Sequence, residues 1–107
     1  MKRKVAAIDG SGRGLCIEEE VPDLGAGEVL VEVRASLISP GTELGGAKKM
    51  RAEPDPARKP RPFGYTNAGV VAEVGAGVEQ YRPGQRVACM GGGYALHADW
   101  AVVPQNL

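Results

Sequence analysis

Few side chains in this 107-residue chain are of types that do chemistry. There is one histidine, His97, and there are two cysteines, Cys16 and Cys89. The two thiols lie far apart with no Cys-x-x-Cys spacing. They read as small buried side chains of a reducing compartment, ahead of a disulfide or a metal role. His97, the only imidazole, reads as a solvated or hydrogen-bonded residue rather than a ligand. Gly10-Ser11-Gly12-Arg13-Gly14 follows an apolar run. It lacks the Gly-x-Gly-x-x-Gly spacing, and no convincing helix follows to present its N-terminus to a pyrophosphate. It therefore reads as a hairpin turn, and no cofactor-binding residue is expected within the chain. The later part of residues 39–61 is basic. Lys48, Lys49, Arg51, Arg58, Lys59 and Arg61 face only Glu53 and Asp55. A solvated loop is the simple reading; attraction of an anionic substrate or a phosphorylated cofactor is the functional one.

The elements that must position these residues are mostly strands. Lys4 to Ile8 and Leu15 to Val21 are strand-like and flank the glycine turn. Glu28 to Ala35 alternates cleanly, with Val29, Val31 and Val33 on one face and Leu30, Glu32 and Arg34 on the other. Residues 39–61 interrupt the pattern, because Pro40, Gly41, Gly45, Gly46, Pro54, Pro56 and Pro60 forbid a long regular element. A turn of helix fits between Glu43 and Met50. Strand signals return at Ala68 to Val74, Gln85 to Met90 and Asp99 to Val103. Short strands with frequent turn signals predict a mainly β domain, a barrel or a sandwich.

Bulk properties agree. The length suits one domain. Hydrophobic residues make up 43%, too many for disorder. Sixteen glycines and eight prolines suit many turns. Thirteen basic and thirteen acidic side chains balance, which argues against a dedicated nucleic-acid binder. The apolar run after Met1-Lys2-Arg3-Lys4 is too short for a signal peptide. No apolar stretch approaches the roughly 18 residues that span a bilayer. A cytoplasmic location is expected, without nucleic-acid or membrane partners.

Three stretches carry a family resemblance. Residues 62–87, from Pro62-Phe63-Gly64-Tyr65-Thr66 through Gly75-Ala76-Gly77-Val78-Glu79-Gln80-Tyr81 to Gly84-Gln85-Arg86-Val87, are similar to the pattern P-x-x-x-G-H-E-x-x-G-x-V-x-x-V-G-x-G-V-x-x-[FY]-x-x-G-D-R-V. Val31 to Glu43 resembles V-x-V-x-A-x-G-I-C-G-T-D, with one extra residue. Tyr94-Ala95 and Trp100-Ala101-Val102-Val103-Pro104 resemble a Y-A-E-Y-V-V-V-P strand. Together they resemble the N-terminal domain of the medium-chain dehydrogenase/reductase superfamily, the alcohol dehydrogenase-like proteins. The resemblance implies a GroES-like, partly open β-barrel with few short helices over residues 1–107. In the long stretch, positive φ is expected at Gly75 and Gly77, with Val70, Val71 and Val74 facing the barrel interior and its cover and Tyr81 plugging one end.

The function it implies is the substrate-side domain of an NAD(P)-dependent oxidoreductase acting on alcohols and carbonyls or on quinones and enones. The Rossmann half would lie beyond Leu107, so the isolated domain is expected to be inactive. Implied partners are a small-molecule substrate, that Rossmann domain, and further copies in a homo-oligomer. The alternative is a stand-alone GroES-like barrel, a binding or co-chaperonin-like structural module. The zinc pattern is broken. Ser39 or Pro40 stands at the family's cysteine, Tyr65 at the histidine of Gly-His-Glu, and the four-cysteine lobe is absent. No zinc is therefore expected, in either a catalytic or a structural site. The resemblance leaves Ser39, Thr42, Glu43 and Tyr65 as catalytic candidates. Thr42 matches the family's proton-passing hydroxyl and Glu43 a supporting acid, and at the histidine position the Tyr65 phenol could donate to a substrate carbonyl; their plainer roles are to stabilise a turn, to cap the next one and to pack, respectively.

Overall fold

The computed structural model describes residues 1–107. Strand β1 (Lys2–Ile8) and strand β2 (Gly14–Glu20) form a hairpin. Strand β3 (Glu28–Ser36) follows, then helices α1 (Pro40–Glu43) and α2 (Gly45–Ala52). Strands β4 (Arg61–Pro62), β5 (Thr66–Val74), β6 (Arg86–Met90) and β7 (Trp100–Pro104) complete the chain. All pairings are antiparallel, in a three-stranded sheet ordered β2-β1-β4 and a four-stranded sheet ordered β6-β5-β3-β7. The fold is thus mainly β, an incompletely closed barrel with two short helices. The glycine-rich segment after β1 is a hairpin turn, as its spacing suggests. The Asp9 carboxylate organises it, accepting hydrogen bonds from the Ser11 amide and hydroxyl and from the Arg13 amide at 2.9, 2.7 and 3.0 Å.

The core follows from alternation. Val29 and Val31 of β3 meet Val103 and Ala101 of β7 across one pairing and Val74 and Val71 of β5 across the other. Val29, Val31, Val71, Cys89, Ala95, Ala101 and Val103 form one buried cluster, and Val33, Val74, Val78, Tyr81 and Val87 pack around it. The cluster is nearly solid. A partly open pocket of about 30 Å³, bordered by Val29, Val31, Tyr81, Cys89, Val103 and Leu107, remains at its edge. That is room for about one water molecule and no substrate.

Two expectations need correcting. Cys16 is exposed, while Cys89 is buried; β2 is an edge strand, exposed along most of its length. Gly77 has the expected positive φ of 80°, but Gly75 does not. Gly75 is needed for space: a Cβ there would lie 2.0 Å from the carbonyl oxygen of Gly25.

The two sheets meet along residues 96–99. Val5 bridges to Ala98. The amide of Ala6 donates to the carbonyl of His97 at 2.8 Å, that of His97 to Phe63 at 3.2 Å, and that of Asp99 to Lys4 at 3.1 Å. The Arg3 guanidinium, its side chain 8% exposed, crosses the same seam. It is paired with Glu19 at 2.7 Å and also donates to the carbonyl of Trp100. The one histidine is thereby fixed where the sheets join.

Candidate functional site

The seam holds a chain of hydrogen bonds among three side chains from three separate segments. His97 Nδ1 lies 2.7 Å from Ser36 Oγ, and His97 Nε2 lies 3.0 Å from Glu43 Oε1. The second oxygen of Glu43 accepts from the amide of Ser39 at 2.7 Å. The side chains of His97 and Glu43 are only 7% and 3% exposed. Ser36 faces outward at the end of β3. A group buried this deeply must have its polar atoms met, and here both ring nitrogens and both carboxylate oxygens are.

Each member is placed by its local structure. The register of β3 against β5 slips between Val33 and Ala35, leaving Arg34 as an extra residue. Such a bulge re-aims the side chains that follow it, and Ser36 is two residues on. Ser39 begins α1 without a side-chain cap and Pro40 occupies its first turn; proline costs nothing there, where its missing N–H would have no partner. The Glu43 carboxylate reaches back to the Ser39 amide and so serves the helix start and His97 together. Gly64 adopts φ 127° and passes so close that a Cβ would sit 2.7 Å from the His97 nitrogen. The Phe63 ring meets the imidazole edge-on, with centroids 4.9 Å apart. Buried Asn67, opposite Ser36 in the β3–β5 register, donates to the carbonyl of Leu96 at 2.9 Å.

Of the four residues singled out from sequence, the structure joins two to this network. Glu43 is at its centre and Ser39 contributes its backbone amide. Thr42 is exposed on α1 and Tyr65 is half-buried after Gly64; the network bypasses both. Ser36 was not singled out, and His97 was read as solvated or simply hydrogen-bonded; its side chain is buried with both nitrogens engaged. Their partners lie 61 and 54 residues away. The only sequence signal was that the chain's sole imidazole sits among apolar neighbours just before a strand.

Ser36 and His97 also border a groove of about 430 Å³ at the seam, together with Lys4, Cys16, Arg34 and Asp99. It is an open depression rather than an enclosed cavity. The basic segment lies elsewhere. Arg51 donates to the carbonyl of Gly12 and, with Ser11 and Arg13, borders a separate polar depression.

The family called alcohol dehydrogenase GroES-like domain matches residues 25–106. The chain belongs to that family. Solved structures agree with the assignment. An alcohol dehydrogenase superfamily protein from Novosphingobium aromaticivorans is 27% identical with a TM-score of 0.72, covering 98% of this chain and 33% of its own. The quinone oxidoreductase from Coxiella burnetii shares the fold at 19% identity and TM-score 0.73, covering 97% and 35%. A crotonyl-CoA carboxylase/reductase solved with NADP does so at 19% and 0.70, covering 99% and 36%. This GroES-like domain thus spans about a third of the length of these relatives.

Members of such a family raise the question of zinc, and the donors here do not fit it. A tetrahedral site needs three or four N, S or O ligands. No three His, Cys, Asp or Glu side chains of this GroES-like domain converge. His97 has no free ring nitrogen, and Cys89 is shut in the core, where burial pushes its thiol pKa up from the ordinary 9.0.

Proposed function

We propose that this chain is the substrate-side domain of an NAD(P)-dependent oxidoreductase of the medium-chain type. It acts on a carbonyl, enone, quinone or alcohol and works without zinc. The observation that carries the reading is the family match over residues 25–106, in a domain whose metal-ligand positions hold Ser39 or Pro40 and Tyr65. The dinucleotide belongs to a Rossmann half outside these residues, which supplies the hydride when loaded. This chain's own residues bind and orient the substrate oxygen and supply hydrogen bonds to it. A hydroxyl among Ser36, Ser39, Thr42 and Tyr65 takes the place of a Lewis acid, and Glu43 supports the set. The expected partners are the substrate, the Rossmann domain and further copies of the parent protein. No helix here is long and apolar enough to cross a membrane, which is consistent with a cytoplasmic protein.

The test begins with the reading frame downstream of Leu107. A frame continuing through a strand and Gly-x-Gly-x-x-Gly, and a gene product that oxidises NADPH or NADH in the presence of an aldehyde, enone or quinone, are the expected results. A stop codon after Leu107, or a full product inert with every carbonyl class and both dinucleotides, would overturn the reading and favour a binding module.

A further inference from the structure

We propose that Ser36, with His97 and Glu43 behind it, is the group that hands the proton to the substrate oxygen, and that the substrate oxygen lies in the groove where the two sheets meet. This rests on the oxidoreductase reading above and names the hydroxyl within it.

The hydrogen-bond pattern dictates how a proton can move. A carboxylate only accepts, so the His97 nitrogen 3.0 Å from Glu43, Nε2, carries a hydrogen. In the neutral ring Nδ1 is then the acceptor, and the Ser36 hydroxyl donates to it at 2.7 Å. When the ring takes a second proton, Nδ1 becomes a donor to the Ser36 oxygen, and the Ser36 hydrogen is freed to point into the groove. A proton can therefore pass between the imidazole and a groove-bound oxygen without any side chain leaving its place. The imidazolium formed in one direction lies against the buried carboxylate of Glu43, whose other oxygen is tied to the Ser39 amide. This order of hydroxyl, imidazole and carboxylate is what a positioned acid–base group requires.

The rest of the molecule points to the same place. The pocket beside the apolar interior is only about 30 Å³, and its one hydroxyl side chain, Tyr81, is hydrogen-bonded to no imidazole or carboxylate. The groove is an open depression at the seam, and both Ser36 and His97 border it. Thr42 and Tyr65 have hydroxyls, but no imidazole or carboxylate is hydrogen-bonded to either to supply a proton.

The chemistry balances. In carbonyl reduction, the hydride and its electron pair come from a reduced nicotinamide dinucleotide, which is oxidised. The carbonyl π pair moves onto oxygen, which takes a proton from Ser36 Oγ. Ser36 Oγ takes one from Nδ1 of the His97 imidazolium, leaving the neutral ring, and a solvent proton returns to Nδ1 through Ser36 Oγ. Alcohol oxidation runs the same transfers backwards.

The experiment uses the protein encoded by the complete reading frame, with an aldehyde or enone as substrate. Ser36→Ala is expected to lower kcat by about 100-fold, the lower end of the range for a positioned acid–base group, with KM within about two-fold of wild type, as for a transition-state contact. Ser36→Thr, which keeps a hydroxyl, is expected to recover most of the rate. His97 acts through Ser36 and is a positioning residue. His97→Ala is expected to lose a similar factor, and free imidazole in the buffer is expected to restore part of it, which a purely structural role would not allow. Should His97→Ala fail to fold, the exposed Ser36 variants decide alone. Wild-type kcat in Ser36→Ala, with the loss appearing in Thr42→Val or Tyr65→Phe instead, would overturn the proposal and leave the oxidoreductase reading standing. A wild-type protein without nicotinamide-dependent turnover would remove that reading and the proposal together.

Discussion

The interior of the four-stranded sheet and the seam between the sheets are built from opposite materials. The interior is Val29, Val31, Val71, Ala101 and Val103 in close contact, with about 30 Å³ unfilled. The seam carries Arg3 with Glu19, His97 with Glu43 and Ser36, and a groove of about 430 Å³. Burial of apolar area stabilises the interior without specifying direction. At the seam, buried charged and polar groups cost free energy unless each finds its partner, so geometry there is strongly specified. Apolar packing and paired polar groups are thus divided between two regions, and substitutions should separate them.

The largest stability loss is expected at the seam's structural ion pair. Glu19→Ala leaves the Arg3 guanidinium nearly buried with only the Trp100 carbonyl as a partner. It should destabilise the fold by about 3 kcal/mol, read as a lower midpoint in urea. In the interior, Val31→Ala should cost about 2 kcal/mol through lost contacts and a small cavity. A core role predicts that kcat of the proposed full-length oxidoreductase at low temperature hardly changes. Equal loss of stability and kcat would blur the division drawn here.

Gly64→Ala lies on the boundary between the regions. The added methyl meets the His97 backbone, and φ 127° suits glycine alone. About 1–3 kcal/mol of strain is expected, together with a fall in kcat because the imidazole must shift; stability loss alone would show that His97 is not tied to turnover.

The thiols separate the regions without mutation. Cys16 is exposed at the groove, whereas Cys89 is buried in the interior with its pKa raised by desolvation. Iodoacetamide at neutral pH should label Cys16 rapidly and Cys89 only on unfolding, as mass spectrometry of the peptides would show.

The smallest effect belongs to the β1–β2 turn. Hydrogen bonds, first from the Ser11 hydroxyl and then from the Arg13 amide, lower the Asp9 pKa below 3.8 in the folded state. Its contribution to stability is present above the unfolded value. It is lost as pH falls through the lower, folded value. Asp9→Asn should therefore flatten the stability profile below about pH 4, near the ordinary carboxyl value, and leave the neutral region nearly unchanged.

The strands were legible because their signals are local. Alternation in Glu28–Ser36 and the valine–glycine run in Thr66–Val74 announce themselves within nine residues. The two-residue β4 carries no such signal; it exists only because Ala7 and Ile8 lie opposite it. Alternation also could not tell that Cys16 lies on an uncovered edge strand. Half of the hydrogen-bonded network was legible. Ser39 and Glu43 stand within one short segment that resembles a family motif. Ser36 and His97 become partners only after the chain folds, since nothing in five residues around His97 refers to a serine 61 residues earlier. The bulge at Arg34 that turns Ser36 outward is likewise a property of the pairing with β5.

The central claim is zinc-free, nicotinamide-dependent chemistry on this domain. Its most direct test is elemental analysis of the complete gene product, purified without added metal, alongside NADPH-dependent carbonyl reduction before and after chelation. Turnover with zinc far below one atom per chain, unchanged by the chelator, is the predicted result. Stoichiometric zinc, with activity lost on chelation and restored by zinc, would contradict the account.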